Sequence, residues 1–299
     1  MDKISAGFGQ FSEYLRDIKF SHSVFALPFA ASALFIESVP TPNLTSILLL
    51  LACMISARSF AMGVNRLFDA DMDKENKRTE TRSIPAGRLT KGYSALFISG
   101  FAGIFIYCSA LLSSFAAWGA VPVLLFLACY SLMKRLHYST HLYLGVCLGL
   151  APTAVYGALT GEFSFSLILL GGAIAVWTAG FDILYSLQDM DHDAANDLKS
   201  VPSRFGWDLS VRISRVLFSV MVLLLIGVGV AAGFGWIYYA GLVSLSAVLA
   251  YEHVLLSQLK RRSDLLRENP TFGKIFFDLN AWVSVGFFIV VVTDRLALN

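Results

Sequence analysis

The sequence predicts an all-α membrane protein of nine transmembrane helices in one bundle, and three observations carry that prediction. The 299-residue chain is 56% hydrophobic with a mean hydropathy of +0.66. Only 15% of its residues are charged, against about 25% in a soluble domain. Its apolar residues gather into segments of spanning length, and its basic residues fall in alternate connections between them. A net charge of +2 with cations segregated by loop argues against a nucleic-acid partner; the lipid bilayer is the expected surrounding, and no obligatory protein partner is evident.

The expected spans are 20 to 37, 44 to 64, 93 to 113, 115 to 133, 139 to 160, 165 to 187, 209 to 232, 234 to 257 and 275 to 293. The first follows an N-terminal stretch carrying both charge signs and aromatics, which reads as the lead to an uncleaved span, not as a signal peptide. Pro28 and Glu37 shorten this span. Only Ser113-Ser114 separates the third span from the fourth, and Gly233 with its neighbours separates the seventh from the eighth, so each pair should form a tight hairpin. Of the 23 basic residues, 21 lie in the N-terminal arm, in the connections after the second, fourth, sixth and eighth spans, or, as Arg212 and Arg215 do, in the first two turns of the seventh span. The exceptions are Arg58, inside the second span, and Arg295, near the C-terminal end. The positive-inside rule then places the N-terminus and the long polar loops in the cytoplasm and the C-terminus outside, in a bacterial inner membrane.

The chemistry is concentrated where two spans end. After about twenty mostly apolar residues, Asn65, Asp69 and Asp73 recur every fourth position, on one side of a helix where it should leave the lipid. Clustered carboxylates repel unless a cation sits among them, and carboxylate and amide oxygens suit a hard cation such as Mg²⁺, usually shared with substrate phosphates. At the end of the sixth span, Asp182, Tyr185, Asp189 and Asp193 stand at i, i+3, i+7 and i+11, again one face of a continuous helix. Each acidic end is followed by a basic residue, Ser, a β-branched residue and Pro: Arg82-Ser83-Ile84-Pro85 and Lys199-Ser200-Val201-Pro202. The chain is therefore expected to be a single domain of two pseudo-repeats, about 20–133 and 139–293.

Two acidic faces with cytoplasmic cations nearby fit a diphosphate bridged by Mg²⁺, and an oily protein suggests a lipid diphosphate. An allylic diphosphate needs no protein nucleophile. Metal and cations stabilise the departing diphosphate, and an electron-rich acceptor attacks the allylic cation. A carboxylate or Tyr185 would steady that cation and take the released proton.

Asn65-x-x-x-Asp69-x-x-x-Asp73 with Arg78, Arg82 and Ile84-Pro85-Ala86-Gly87, followed by Asp182-x-x-Tyr185-Ser186-x-Gln188-Asp189-x-x-x-Asp193, resembles the UbiA superfamily of intramembrane aromatic prenyltransferases. The likeness runs over nearly the whole chain and is strongest to the 4-hydroxybenzoate polyprenyltransferase branch and its menaquinone-pathway relatives. It implies Mg²⁺ bound through Asn65, Asp69, Asp73, Asp189 and Asp193, and diphosphate contacts from Arg78, Arg82, Lys134 and Lys199. Arg66 stands where many members carry Asp. The implied activity is transfer of a polyprenyl group from its diphosphate to an aromatic acid, within a bundle whose central cavity opens to the cytoplasmic side. The catalytic candidates are Asp69, Asp73, Asp182, Tyr185 and Asp189; Arg58, Asn65, Arg78, Arg82, Lys134, Tyr138 and Lys199 are the substrate-binding candidates.

Simpler readings stand beside these. Asp71 and Glu75 point away from the acidic face and serve as solvated charges. Asp182 is a cation stabiliser or substrate contact, or else a partner for Arg58 or another buried donor. Arg58 needs a partner in lipid, either substrate or carboxylate. Lys134 and Arg135 also suit plain positive-inside anchoring, as do Lys260, Arg261 and Arg262. Arg16 and His22 are candidates to line the path of the aromatic acceptor. The four cysteines have no metal or redox spacing and read as small apolar residues. Rival functions are the same fold with a chlorophyll, haem or lipid-ether acceptor, and a carboxylate-based cation-coupled transporter. A CDP-alcohol phosphotransferase is excluded because neither acidic stretch has its AspGly then AlaArg pattern.

Overall fold

The computed structural model describes residues 2–18, 26–39, 42–76, 78–260 and 270–298. Among these the secondary structure is entirely helical: α1 Asp2–Asp17, α2 Ala26–Ile36, α3 Leu44–Glu75, α4 Lys91–Leu112, α5 Ser114–Leu136, α6 Thr140–Thr160, α7 Phe165–Ser186, α8 Met190–Ala195, α9 Val201–Ala232, α10 Trp236–Lys260 and α11 Pro270–Leu298. Eight helices among the described residues are long and apolar enough to cross a membrane, and the protein is an integral membrane protein. The first expected span, 20 to 37, corresponds to α2, whose described part is only 11 residues long. Pro28 sits in the first turn of α2, where a missing N–H is tolerated. Residues 19–25 lie outside the described part.

Both expected connections are as short as the sequence predicts, and α9 and α10 pack together. Ser113 closes α4, and its hydroxyl accepts from the Ala116 amide (3.2 Å) to start α5 one residue later. Gly233 ends α9 at φ 66°, the left-handed conformation that glycine supplies without strain. Asn43, Thr90, Ser164 and Ser200 cap the starts of α3, α4, α7 and α9. At 32 residues α3 is about 48 Å long, well beyond a hydrocarbon core of about 30 Å, so one helix runs on through both lipid-facing turns and the acidic motif.

The chain divides into two compact units. One comprises Met1–Val24, Pro42–Leu132 and Gly157–Gly161; the other comprises Phe25–Thr41, Met133–Tyr156 and Glu162–Asn299. In the first unit α3 packs along α4, and α1 closes over both. Tyr14 of α1 is buried against Phe97 and Phe101 and donates to the Ser59 carbonyl (2.8 Å). Gly63 makes the space: a Cβ there would stand 2.1 Å from the Tyr14 oxygen.

In the second unit α7 is the central element, packed along α9 and buried over most of its length. Against α6 it makes backbone contact. A Cβ on Gly145 would stand 2.0 Å from the Ala175 carbonyl oxygen, and one on Gly149 would stand 2.3 Å from that of Gly171. Gly145-x-x-x-Gly149 facing Gly171-x-x-x-Ala175 is the small-residue packing that membrane helices use where no hydrophobic force draws them together. Glu252, inside α10 and almost fully buried, accepts from Asn280 of α11 (3.0 Å), whose carbonyl accepts from Trp177 of α7 (2.9 Å). This chain satisfies an intramembrane carboxylate that sequence reading passes over.

Asp294 and Arg295 tie the other end of this unit. Asp294 accepts from the Gly235 and Tyr238 amides at the start of α10 (2.8 and 2.9 Å). Arg295 donates to the Phe35, Ile36 and Ala232 carbonyls at the ends of α2 and α9. Asp294→Ala leaves two amide donors unpaired and is expected to destabilise by about 2 kcal/mol. Thermal denaturation in detergent measures it, and Asp294→Asn, which keeps one acceptor, should recover part of the loss.

Candidate active site

In the first unit, Asn65, Asp69 and Asp73 share one face of α3, as the four-residue spacing predicts. Asn65 Nδ2 donates to Asp69 Oδ2 (2.7 Å). Asp73 is buried, and Arg82 Nη1 lies 2.6 Å from each of its carboxylate oxygens. Arg66, the departure from the family pattern, is no loop cation. It is buried, with Nε on the Asp17 carbonyl (3.2 Å) and Nη1 on Asn65 Oδ1 (3.3 Å), so it orients the amide that heads the motif. Asp17 in turn accepts from the Ser83 amide (2.8 Å), pinning the loop after α3 to α1.

Five arginines converge there. Arg16, Arg66, Arg78, Arg82 and Arg88 line a cavity of about 250 Å³ with Asp17, Thr81 and Ser83. Such a surplus of guanidinium groups is suited to a multiply charged anion. The sequence pointed to Arg78 and Arg82; Arg66 and Arg88 went unrecognised as members of this group because their partners lie on α1, far away in the chain. Arg16, considered as a contact to the acceptor, falls in the same cavity, while His22 lies outside the described residues. Glu13, in α1, is partly desolvated, yet the hydrogen bonds from Ser83, Arg88 and Arg16 hold its carboxyl below the usual range. Asp71 behaves as the bystander expected, exposed and paired with Lys91 (3.0 Å). Arg58 lies within α3 with its Nε buried and without a hydrogen-bond partner.

The second acidic stretch corrects one expectation. Asp182, Tyr185, Asp189 and Asp193 do not lie on a single continuous helix: α7 ends at Ser186, Leu187–Asp189 forms a 3-10 turn and α8 follows. Three residues per turn in place of 3.6 shift Asp189 and Asp193 around the axis relative to Asp182. Beside the break, the Tyr185 carbonyl accepts from Gln188 Nε2 (3.0 Å). Asp189 and Asp193 are buried. Lys134 Nζ lies 2.7 Å from Asp193 Oδ1 as an ion pair, while Oδ2 of this fully buried carboxylate has no hydrogen-bond partner. Lys134, Tyr138 and Lys199 come together as well. The Lys199 amide donates to the Lys134 carbonyl (2.7 Å), Lys199 Nζ lies 5.9 Å from the Tyr138 ring centroid and Arg204 stacks on the same ring. Asp197 raises the pKa of the Lys199 ammonium through a direct hydrogen bond. Asp182 has found its buried donor, His141 (2.7 Å), a residue that sequence reading did not single out. The side chains of Lys260, Arg261 and Arg262 lie outside the described residues.

Among the described residues no three His, Cys, Asp or Glu side chains converge closely enough to hold a metal ion by themselves. Each acidic stretch is instead neutralised by a protein cation, Arg82 on Asp73 and Lys134 on Asp193. The donor chemistry nevertheless fits a hard cation, since amide and carboxylate oxygens predominate and the buried Asp193 Oδ2 has no hydrogen-bond donor.

Comparison with known proteins agrees in fold and family. The profile of the UbiA prenyltransferase family matches residues 26–274. A 4-hydroxybenzoate octaprenyltransferase from Alcanivorax borkumensis is 30% identical over 230 residues, 77% of this chain and 79% of that protein. The solved structure of a UbiA homolog from Aeropyrum pernix K1 superposes with a TM-score of 0.80 at 26% identity, over 92% of this chain and 98% of its own. A UbiA homolog from Archaeoglobus fulgidus, solved bound to DMAPP and Mg²⁺, shares the fold with a TM-score of 0.67 at 17% identity, covering 94% of this chain and 99% of its own.

Proposed function

The chain belongs to the UbiA prenyltransferase family, and we propose that it transfers a polyprenyl group from polyprenyl diphosphate to 4-hydroxybenzoate or a closely related quinone precursor, with Mg²⁺. The observation that carries this reading is the pairing of the Asn65, Asp69 and Asp73 face with a five-arginine cavity in one unit: donors for a divalent cation beside donors for an anion. The acceptor follows from the 30% identity to a protein named for 4-hydroxybenzoate.

Asn65, Asp69, Asp73, Asp189 and Asp193 would hold the metal. When bound, Mg²⁺ supplies Lewis-acid stabilisation of the diphosphate as it leaves. Arg78, Arg82, Lys134 and Lys199 take the remaining phosphate charge; for Arg82 and Lys134 this means exchanging a carboxylate for a phosphate oxygen. The allylic C–O bond breaks with its electron pair going to the diphosphate, a ring carbon of the acceptor forms the new C–C bond, and the ring then loses a proton. Asp182 and Tyr185 serve to steady the allylic cation and receive that proton. Arg58, whose buried Nε has no partner, suits the carboxylate of the acceptor, with Tyr138 assisting substrate binding. The segregation of 21 of 23 basic residues supports a bacterial inner membrane with the N-terminus cytoplasmic and the C-terminus outside.

Purified protein given polyprenyl diphosphate, 4-hydroxybenzoate and Mg²⁺ is expected to yield the prenylated acid, detected by mass. Chelation by EDTA should abolish product, and added Mg²⁺ should restore it. Product from a chlorophyll, haem or glycerol-ether precursor alone would move the assignment to another branch. Substrate flux into liposomes with no prenylated product would favour a transporter.

A further inference from the structure

We propose that His141 is the positioning residue for Asp182, fixing that carboxylate through a single ring tautomer set by the backbone at the start of α9. His141 is the second residue of α6 and is buried, 3% exposed. Both of its ring nitrogens are engaged. Nε2 lies 3.2 Å from the Val201 amide nitrogen, and Nδ1 lies 2.7 Å from Asp182 Oδ2. A backbone N–H only donates, so Nε2 must present a lone pair; the ring's proton therefore sits on Nδ1 and is donated to Asp182. The imidazole is thereby held at two points, one on α7 and one on α9.

The holding points are themselves anchored. Val201 follows Ser200, which closes a reciprocal capping box with Ser203, and Lys199, whose amide is bound to the Lys134 carbonyl. The segment that bears Lys199, and that is hydrogen-bonded to the backbone of Lys134, is thus connected through one ring to Asp182. The Asp182 side chain remains 22% exposed, so one oxygen is fixed by the ring while the group keeps an open side. A carboxylate that must face a short-lived cation gains from such fixing, because a misplacement of about 1 Å can cost on the order of a hundredfold in rate. His141 acts through Asp182 and touches no reacting atom.

This role rests on the prenyl-transfer reading, so its test has one arm that measures turnover and one that does not. His141→Ala is expected to lower kcat about ten- to a hundredfold with the KM for polyprenyl diphosphate changed less than about twofold. His141→Asn, whose amide nitrogen can still donate to Asp182, should recover more of kcat than His141→Gln, which can serve only Val201. Rescue by Gln in preference to Asn, or unchanged kcat in all three, overturns the proposal. In the second arm, ¹⁵N spectra of the histidine-labelled parent should show one ring with Nδ1 protonated and Nε2 bare, absent in His141→Asn and shifted in Asp182→Asn. A proton on Nε2 of that ring, or no response to Asp182→Asn, overturns the proposal even if the parent prenylates nothing. A parent that makes no product but passes the second arm overturns the enzymatic reading and leaves the His141 link standing.

Discussion

Asp69→Ala and Asp189→Ala are each expected to cut prenyl transfer by at least about a hundredfold, more than the ten- to hundredfold typical of groups that merely support metal ligands. Asp69 lies one turn beyond Asn65 and shares a hydrogen bond with it, so its loss removes an oxygen donor and releases the amide that orients against it. Asp189 is buried in the 3-10 turn, where water cannot replace its charge. The measurement is initial rate against Mg²⁺ concentration: residual activity should require more metal than the parent does. Asp71→Ala is the control. That side chain is 89% exposed and bound only to a surface lysine in the described contacts, and its removal should change the rate less than about twofold. Full activity in Asp69→Ala or Asp189→Ala removes the metal assignment.

Gly149→Leu is expected to prevent folding. The new Cβ alone would stand 2.3 Å from the Gly171 carbonyl oxygen, and backbone on a packed helix cannot yield as a flexible side chain would. Separating α6 from α7 also disturbs the helix that carries Asp182. The cost should exceed about 4 kcal/mol, in the range reserved for gross overpacking. Size-exclusion profiles of detergent-extracted protein measure it, with Gly149→Ala intermediate. Gly103→Leu, on α4 with nothing within 4 Å of its Cβ, should elute as the parent does.

The elements that sequence reading placed well are those decided by local pattern. The short connections at Ser113 and Gly233 follow from where apolar residues stop, and the Asn65, Asp69 and Asp73 face follows from helical periodicity in a helix that does not break. The same reasoning misjudged the second acidic stretch, because spacing assumes a continuous α-helix and Leu187–Asp189 tightens into a 3-10 turn. It also took Arg66 for a loop cation, since hydropathy marks where lipid ends and not where a helix or a protein interior ends.

By itself the sequence determined the apolar spans, the sidedness expected of its basic loops, the two acidic helix ends and the family likeness. All of these are properties of residue type and spacing along one chain, because the bilayer acts on each segment separately. Only the tertiary structure decided which donor each charge meets. His141 reaches Asp182 across 41 positions, Arg66 reaches Asp17 across 49, and Asp294 caps α10 across 56 and 59. Burial makes such pairings obligatory, but their identity depends on which helices lie side by side, and that depends on the close approach of small residues such as Gly149 and Gly171.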